Sequence, residues 1–512
     1  MSTAPRAPAP HDAPPGAPAA TPVAPPRPGR GGARAARLLG AAAAAAMLLG
    51  AAALALGPGT GRAQDGAGGA AAGPRLTLDV GSEIRAGRDV RVDDARGDVL
   101  SETDLSFGIL SRTPVQSLLL SVGGTYRVLL DEGTGDFTGP DARLRYEREA
   151  AGGGLTLAGS VQTRDLDFVR GLLLGEGGEI LDFDEDGVVF DEDGIIDPDD
   201  LETGTGTRRA TRLGFSLDLL RDRPLGVEVD GGYSRTDYDE AGTDFDENRR
   251  LSLDAALRLR LAPTLTARLT YGIDRLEIDR DAQDDPDADV SRDTDGVGVS
   301  FAYDVSRRLN ATLAVERTAN EIEELDGTRI DEIGVTGSAG LSYELPRGTI
   351  GGRYVRRLEQ GEIRDEISLS RRFVLPGEDV LAVQLGYATF EGEDAVTAAV
   401  DWARAGPRGD LALSLSRTVG TSLDDGFATR TRLSADYRRQ LTALTGLGLS
   451  AEFGRIEEAD GESAEAGLLR ASLSRRLTRD WTLSGGVEGV YDDDETDTAV
   501  FARVSRRFDI LP

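Results

Sequence analysis

The segment Asp182-Phe183-Asp184-Glu185-Asp186-Gly187 carries the densest chemistry in the chain. Carboxylates on alternate residues, Gly at the sixth position and an acid at the twelfth, Asp193, match the spacing of a calcium loop. Such a loop surrounds the ion with hard oxygen ligands and uses the glycine for a sharp turn. Val189 fills the apolar eighth position, and a second acidic turn, Asp191-Glu192-Asp193-Gly194, overlaps the first. The competing reading is a solvated acidic loop in an Asp-rich chain, with Asp193 standing where the motif prefers Glu. Calcium, on Asp182, Asp184, Asp186 and Asp193, is the one metal the sequence suits, and no cofactor is required.

Much other chemistry is removed by composition. The chain has no Cys, its only histidine is His11, its two methionines are Met1 and Met47, and all 58 basic residues are Arg. Beyond residue 47 it therefore cannot build a Ser-His or Cys-His nucleophile, a lysine Schiff base or a His-ligated zinc site. Carboxylate chemistry of the glycosidase type survives this inventory, but no compact pair of acids is singled out, so the chain reads as a non-enzyme. Net charge is −31; residues 1–63 hold six Arg and one acid, Asp12, so the remainder stands at −36. A chain this acidic lacks the basic face that phosphate backbones require, which argues against nucleic acid as a partner.

The elements that must position any site announce themselves by an alternation. Leu251, Leu253, Ala255, Leu257, Leu259 and Leu261 are apolar at every second position, with Ser252, Asp254, Ala256, Arg258 and Arg260 between them. Leu265, Ala267, Leu269, Tyr271 and Ile273 repeat the pattern against Thr266, Arg268, Thr270 and Asp274. Successive side chains of a strand point to opposite faces, so each segment has one apolar and one wet face. Helical spacing of three and four is absent. Alternating segments of about ten residues separated by turn residues predict an all-β, antiparallel, up-and-down transmembrane β-barrel. The pattern gives about twenty-two strands, within roughly 16 to 24 because the weak segments around 349–371 could merge.

The start of the chain suits export. Residues 1–29 are Pro/Ala-rich, Arg30, Arg34 and Arg37 precede an apolar run from Leu38 to Leu56, and Gly61-Arg62-Ala63 supplies a small-residue cleavage site. That order is the one found in secretory signals. The predicted organisation is a leader and signal peptide over 1–63, a short periplasmic tail over 64–74, the barrel over 75–508 and a C-terminal tail over 509–512. Only Gly- and Ala-rich residues 64–74 precede the first strand, so no plug domain is expected, nor an energy-coupled receptor.

Turn lengths orient the barrel. Connections after even-numbered strands are short, as at Thr113-Pro114, Asp222-Arg223-Pro224 and Ala262-Pro263, whereas those after odd-numbered strands are longer and acidic, as at 165–207 and 277–294. Short turns face the periplasm and long loops the outside, which makes 165–207 an acidic extracellular loop able to fold inward as a constriction. Two aromatic sets, Tyr126, Tyr233, Tyr271, Tyr354, Tyr387, Phe453 and Tyr491 near the outer rim and Tyr146, Tyr303, Tyr343, Phe373, Tyr437 and Trp481 near the inner, predict membrane-interface girdles. A charge facing lipid at mid-membrane costs about 2–4 kcal/mol. Arg127, Asp254, Arg258, Arg268, Asp274 and Arg353 are therefore expected to line a wet pore, with Asp104, Asp230 and Asp436 beside such arginines. They would act either as a solute path or as ion-pair ladders stiffening the wall.

The end of the chain, Val500, Ala502, Val504 and Phe508, keeps its alternation up to a late aromatic and resembles the signal read by the barrel-assembly machinery. Its departures are Arg506 in the apolar register and the extra residues Asp509–Pro512. Ser306-Arg307-Arg308-Leu309, Ser474-Arg475-Arg476-Leu477-Thr478 and Tyr437-Arg438-Arg439-Gln440-Leu441-Thr442 occupy tight turns between alternating strands. In this the chain loosely resembles, over residues 75–508, the β-barrel porin 2 group of outer-membrane proteins linked to exopolysaccharide systems. That resemblance implies a porin-like or polysaccharide-related role and carries over no individual residue. The expectation is thus an integral barrel of a bacterial outer membrane, acting as a passive channel for small solutes or polysaccharide, with outer-membrane lipid and lipopolysaccharide around it. The alternative is a surface-exposed calcium-dependent binding or structural barrel without an open pore.

Overall fold

The computed structural model describes residues 74–87, 99–130, 135–165, 206–239, 247–279, 290–323, 329–359, 362–377, 379–390, 392–420, 428–458, 463–492 and 495–511. Within them lie twenty-two strands. The first eleven are β1 (Arg75–Gly87), β2 (Val99–Arg112), β3 (Gln116–Leu129), β4 (Gly135–Ala150), β5 (Gly153–Asp165), β6 (Thr207–Leu219), β7 (Leu225–Asp239), β8 (Glu247–Ala262), β9 (Leu265–Asp279), β10 (Val290–Asp304) and β11 (Leu309–Glu323). The others are β12 (Arg329–Leu345), β13 (Gly348–Glu359), β14 (Glu362–Val374), β15 (Val380–Phe390), β16 (Glu393–Gly406), β17 (Gly409–Gly420), β18 (Ala428–Gln440), β19 (Thr445–Glu458), β20 (Ser463–Arg476), β21 (Trp481–Asp492) and β22 (Glu495–Leu511).

Each strand pairs antiparallel with its sequence neighbours, and β22 returns to pair with β1 from Leu76↔Leu511 to Gly87↔Ala499. The sheet is a closed meander without an edge, so every strand's backbone groups find partners on both sides. β22 continues three residues past the expected end of the barrel at 508: Asp509 pairs with Thr77 and Leu511 with Leu76. The reason is the partner strand, since β1 starts at Arg75 and offers ladder positions that far down.

Closure fixes which parity faces out. Leu257↔Leu269↔Val299↔Val315 run side by side across β8 to β11 on one face, and Arg258↔Arg268 lie one residue along on the other. Large apolar side chains of the first face, such as Leu269 at 52% and Val396 at 58%, stay exposed, which inverts the arrangement of a water-soluble fold. The aromatic residues of both predicted girdles share that outward parity. The outer set includes Tyr126, Tyr271, Tyr354 and Tyr387, and the inner set Tyr303, Tyr343 and Trp481.

The short turns explain the recurring Ser/Thr at their start. Ser306 Oγ accepts from the backbone N–H of Arg308 at 3.2 Å and of Leu309 at 3.1 Å. Thr442 Oγ1 does the same for Leu444 and Thr445, and Thr478 Oγ1 for Asp480 and Trp481. A hydroxyl capping its own turn supplies acceptors that the ladder cannot reach. Gly348, which opens β13, has φ +115°, and a Cβ there would collide with the Arg372 carbonyl oxygen. Glycine is the residue that this tight return tolerates.

Candidate functional site

All six expected pore residues have the inward parity, but they fall into separate groups. Arg127 belongs to a network at the closing seam. Its Nε donates to Glu102 Oε1 at 2.7 Å and one terminal nitrogen to Thr138 Oγ1 at 3.2 Å. Arg85 bridges Glu83 at 3.1 Å, Glu488 at 3.6 Å and Glu102 at 3.8 Å. Glu83 also meets Arg470 and Arg503, each at 3.7 Å, and Arg503 reaches Asp104 at 2.8 Å. Arg470 lies 4.1 Å over the inward ring of Phe501. These side chains come from β20, β21, β22, β1, β2 and β3, so one charged network ties the last strands of the barrel to the first. Glu83, with 3% of its side chain exposed, and Glu488, with 9%, are its buried centre.

Arg258 and Arg268 face each other across β8 and β9 and share Glu228, at 3.1 Å and 3.2 Å. Asp218 adds a second carboxylate 3.7 Å from Arg258. Two like charges directly opposite would repel, and the shared acid from β7 relieves that repulsion. Asp274 is held by Arg250 Nε at 2.7 Å.

Asp254 lies at mid-wall directly opposite Asp230, and its Oδ1 lies 2.7 Å from where a Cβ on Gly272 would stand. The Glu316 carboxylate occupies the equivalent space over Gly296. The bare glycine backbones of β9 and β10 thus make room for an acidic lane formed by Asp230, Asp254 and Glu316. Arg353 stands between Gly340 and Ser368 and makes no ion pair among the described residues. Around it the inward positions of β14 to β17 include the small neutral residues Ser368, Ser370, Gln384, Gly386, Ala399 and Ser416, together with Arg372 and a buried Asp401 whose Oδ1 accepts from Ser414 Oγ at 2.6 Å.

Sequence reasoning missed Glu83, Arg85, Glu102, Glu228, Glu488, Arg470 and Arg503. The signal that could have found them was the same parity rule, since each continues the wet face of its strand. The calcium candidates Asp182, Asp184, Asp186 and Asp193 lie outside the described residues, between β5 and β6.

No protein-family model and no curated protein matches the chain. Solved structures do match. The FrpB iron transporter of Neisseria meningitidis aligns with a TM-score of 0.52 at 8% identity, over 85% of this chain and 81% of that one. The ferric enterobactin receptor of Pseudomonas aeruginosa gives 0.51 at 11% identity, over 87% and 82%. The ferric-catecholate import receptor Fiu of E. coli K12 gives 0.50 at 10%, over 84% and 81%. At these identities the likeness is one of fold. It joins an edgeless sheet whose outer face is apolar between two aromatic girdles, and in lipid such a sheet leaves no backbone group unpaired. The chain is an outer-membrane β-barrel. In this barrel the inner wall alternates charged lanes with a stretch of mostly small residues, and the ion pairs above are among its fixed charges.

Proposed function

We propose that the barrel is a passive outer-membrane channel for hydrophilic solutes. The observation that carries this reading is the inner wall of β14 to β17, where serine, glycine, alanine and glutamine replace bulk beside the charged lanes. Small polar side chains leave space and offer hydrogen bonds without holding a solute tightly, and a barrel of this strand number encloses a wide lumen. The charged groups are mostly spent on each other, as at Arg258–Glu228 and Arg250–Asp274, which stiffens the wall without creating a deep binding site. A link to polysaccharide passage rests on the turn resemblance alone.

Purified barrel in planar bilayers is expected to give ohmic single-channel conductance without an energy-coupling partner. Its ion preference should weaken as salt rises, because exposed fields are screened within about 8–10 Å at physiological ionic strength. A folded barrel with no conductance would overturn the channel reading. It would favour a closed binding barrel, or a receptor like the iron receptors that share its fold.

The spacing of Asp182, Asp184, Asp186 and Asp193 supports a separate proposal, that segment 165–207 binds calcium at the cell surface. Calcium at millimolar levels fills even sites with a dissociation constant near 10⁻⁴–10⁻³ M. Calcium should then protect residues 180–200 from protease, and Asp184→Ala with Asp186→Ala should abolish the protection. Equal cleavage with calcium and with chelator would leave a solvated acidic segment.

A further inference from the structure

Two acids are buried among the described residues, Glu83 and Asp401, and their surroundings differ. Glu83 meets three arginines at the closing seam. Asp401 is 6% exposed, faces the lumen from β16 and makes no ion pair among the described residues. Its Oδ1 accepts from Ser414 Oγ at 2.6 Å. Along its row the first guanidinium is that of Arg372, two strands away beyond Ala382, and the row continues on the other side through Ser414 and Ser434.

The same face of β16 holds a second buried polar atom. Thr397 is 4% exposed, and its Oγ1 has no hydrogen-bond partner. That hydroxyl occupies the space that a Cβ on Gly386 would take. Between Thr397 and Asp401 lies the buried Ala399, and on the far side of Asp401 the exposed Ala403 opens onto the lumen. The two polar groups stand four residues apart on one strand, roughly 13 Å along it. A carboxylate taken out of water with one hydroxyl beside it is poorly compensated by the chain itself.

The chemistry of the recess selects among cations. Ser414 already engages Oδ1, which leaves one oxygen for a donor from outside. A guanidinium fork is matched by both oxygens of a carboxylate, and calcium takes about six to eight oxygen ligands. A primary ammonium is a compact point charge with three donors and needs neither. The methyl groups of Ala382, Ala399 and Ala403 give its adjoining carbons an apolar seat. Thr397 then offers its hydroxyl to a second polar group of the same molecule.

We propose that the recess of Thr397, Ala399 and Asp401 is a binding site for a small amino alcohol. Asp401 holds the ammonium group, and Thr397 takes the hydroxyl end. The inference rests on the channel reading and names the solute class that the lumen favours. The contact is weak, as conduction requires, because a solute that enters must also leave.

The test is isothermal titration calorimetry on the full barrel in detergent at neutral pH, where an aliphatic amine is protonated. Aminohexanol should bind at least about tenfold tighter than hexanediol, which has the same length but a hydroxyl in place of the ammonium. Tetramethylammonium carries the charge without an N–H and should bind at least about fivefold more weakly than aminohexanol. Asp401→Asn should remove the preference for the amine, and Thr397→Val should weaken aminohexanol binding about threefold. Asp436→Asn, at another inward acid on β18, should change it less than about twofold. Heat-dependent gel mobility reports whether each variant is folded. Equal binding of aminohexanol and hexanediol by the unaltered barrel, as for a carboxyl that simply keeps its proton, would overturn the inference. A preference retained by folded Asp401→Asn would overturn it too. The first comparison decides even where a variant does not fold, and it decides whether or not the barrel conducts. Selective binding of aminohexanol by a barrel without conductance would overturn the channel reading alone.

Discussion

Glu83→Gln is expected to destabilise the folded barrel by about 3 kcal/mol, as removal of one partner from a buried ion pair does. Glu83 is buried and meets Arg85 at 3.1 Å and both Arg470 and Arg503 at 3.7 Å. Glutamine leaves three guanidinium groups around a neutral amide. The figure is set at the low end of the range for broken buried pairs because Arg470 and Arg503 keep about a third of their side chains in water. Removing both partners of one pair, Glu83→Leu with Arg85→Leu, should cost less than the single change, because no uncompensated charge remains between them. Urea unfolding of barrels reconstituted in vesicles measures both. A loss below about 1 kcal/mol for Glu83→Gln would mean that the seam is held by its backbone ladder and not by this network.

The second large effect separates the two faces of one strand. Leu269 points outward between Leu257 and Val299, whereas Thr270 points inward beside the acidic lane of Asp254 and Glu316. Arginine at 269 places a charge in hydrocarbon near the middle of the apolar belt and should cost about 2–4 kcal/mol. Arginine at 270 enters water next to carboxylates and should cost less than about 1 kcal/mol. Comparable losses at both positions would contradict the assignment of faces.

The strand count was readable in the sequence because every strand carries its own two-residue period. Strand starts were readable only at the end of the barrel with the short turns. The alternation sets in at Arg75, Leu225, Leu265, Leu309, Val380 and Trp481, where β1, β7, β9, β11, β15 and β21 begin. The strands that follow the long connections begin before their alternation does: β10 at Val290, with alternation setting in near Val297, and β4 at Gly135, with alternation setting in near Ala142. Those extra residues lie beyond the apolar belt, where both faces are polar and no apolar register marks the strand. Arg506, which looked like a break in the terminal signal, keeps its outward parity because it stacks on Trp481 and Phe508 at the interface.

For the lumen, parity identified which residues face inward but not which of them meet. Arg258 and Arg268 were separable as inward residues. Their shared acid, Glu228, comes from a third strand whose vertical offset depends on the stagger of the whole sheet. The seam network is less readable still, because Glu83 and Arg503 are brought together only when the last strand closes on the first. Closure is a global property that no local window contains.

Thiol accessibility in intact outer membranes tests most directly whether the barrel is closed, with lipid on one face and water on the other. The chain has no cysteine, so each introduced thiol is the only one present. Cysteines at Arg258, Arg268, Gln384 and Ser416 should react with a small water-soluble thiol reagent, and those at Leu257, Leu269, Val383 and Leu415 should resist it. Uniform labelling of both sets, or protection of both, would contradict the account.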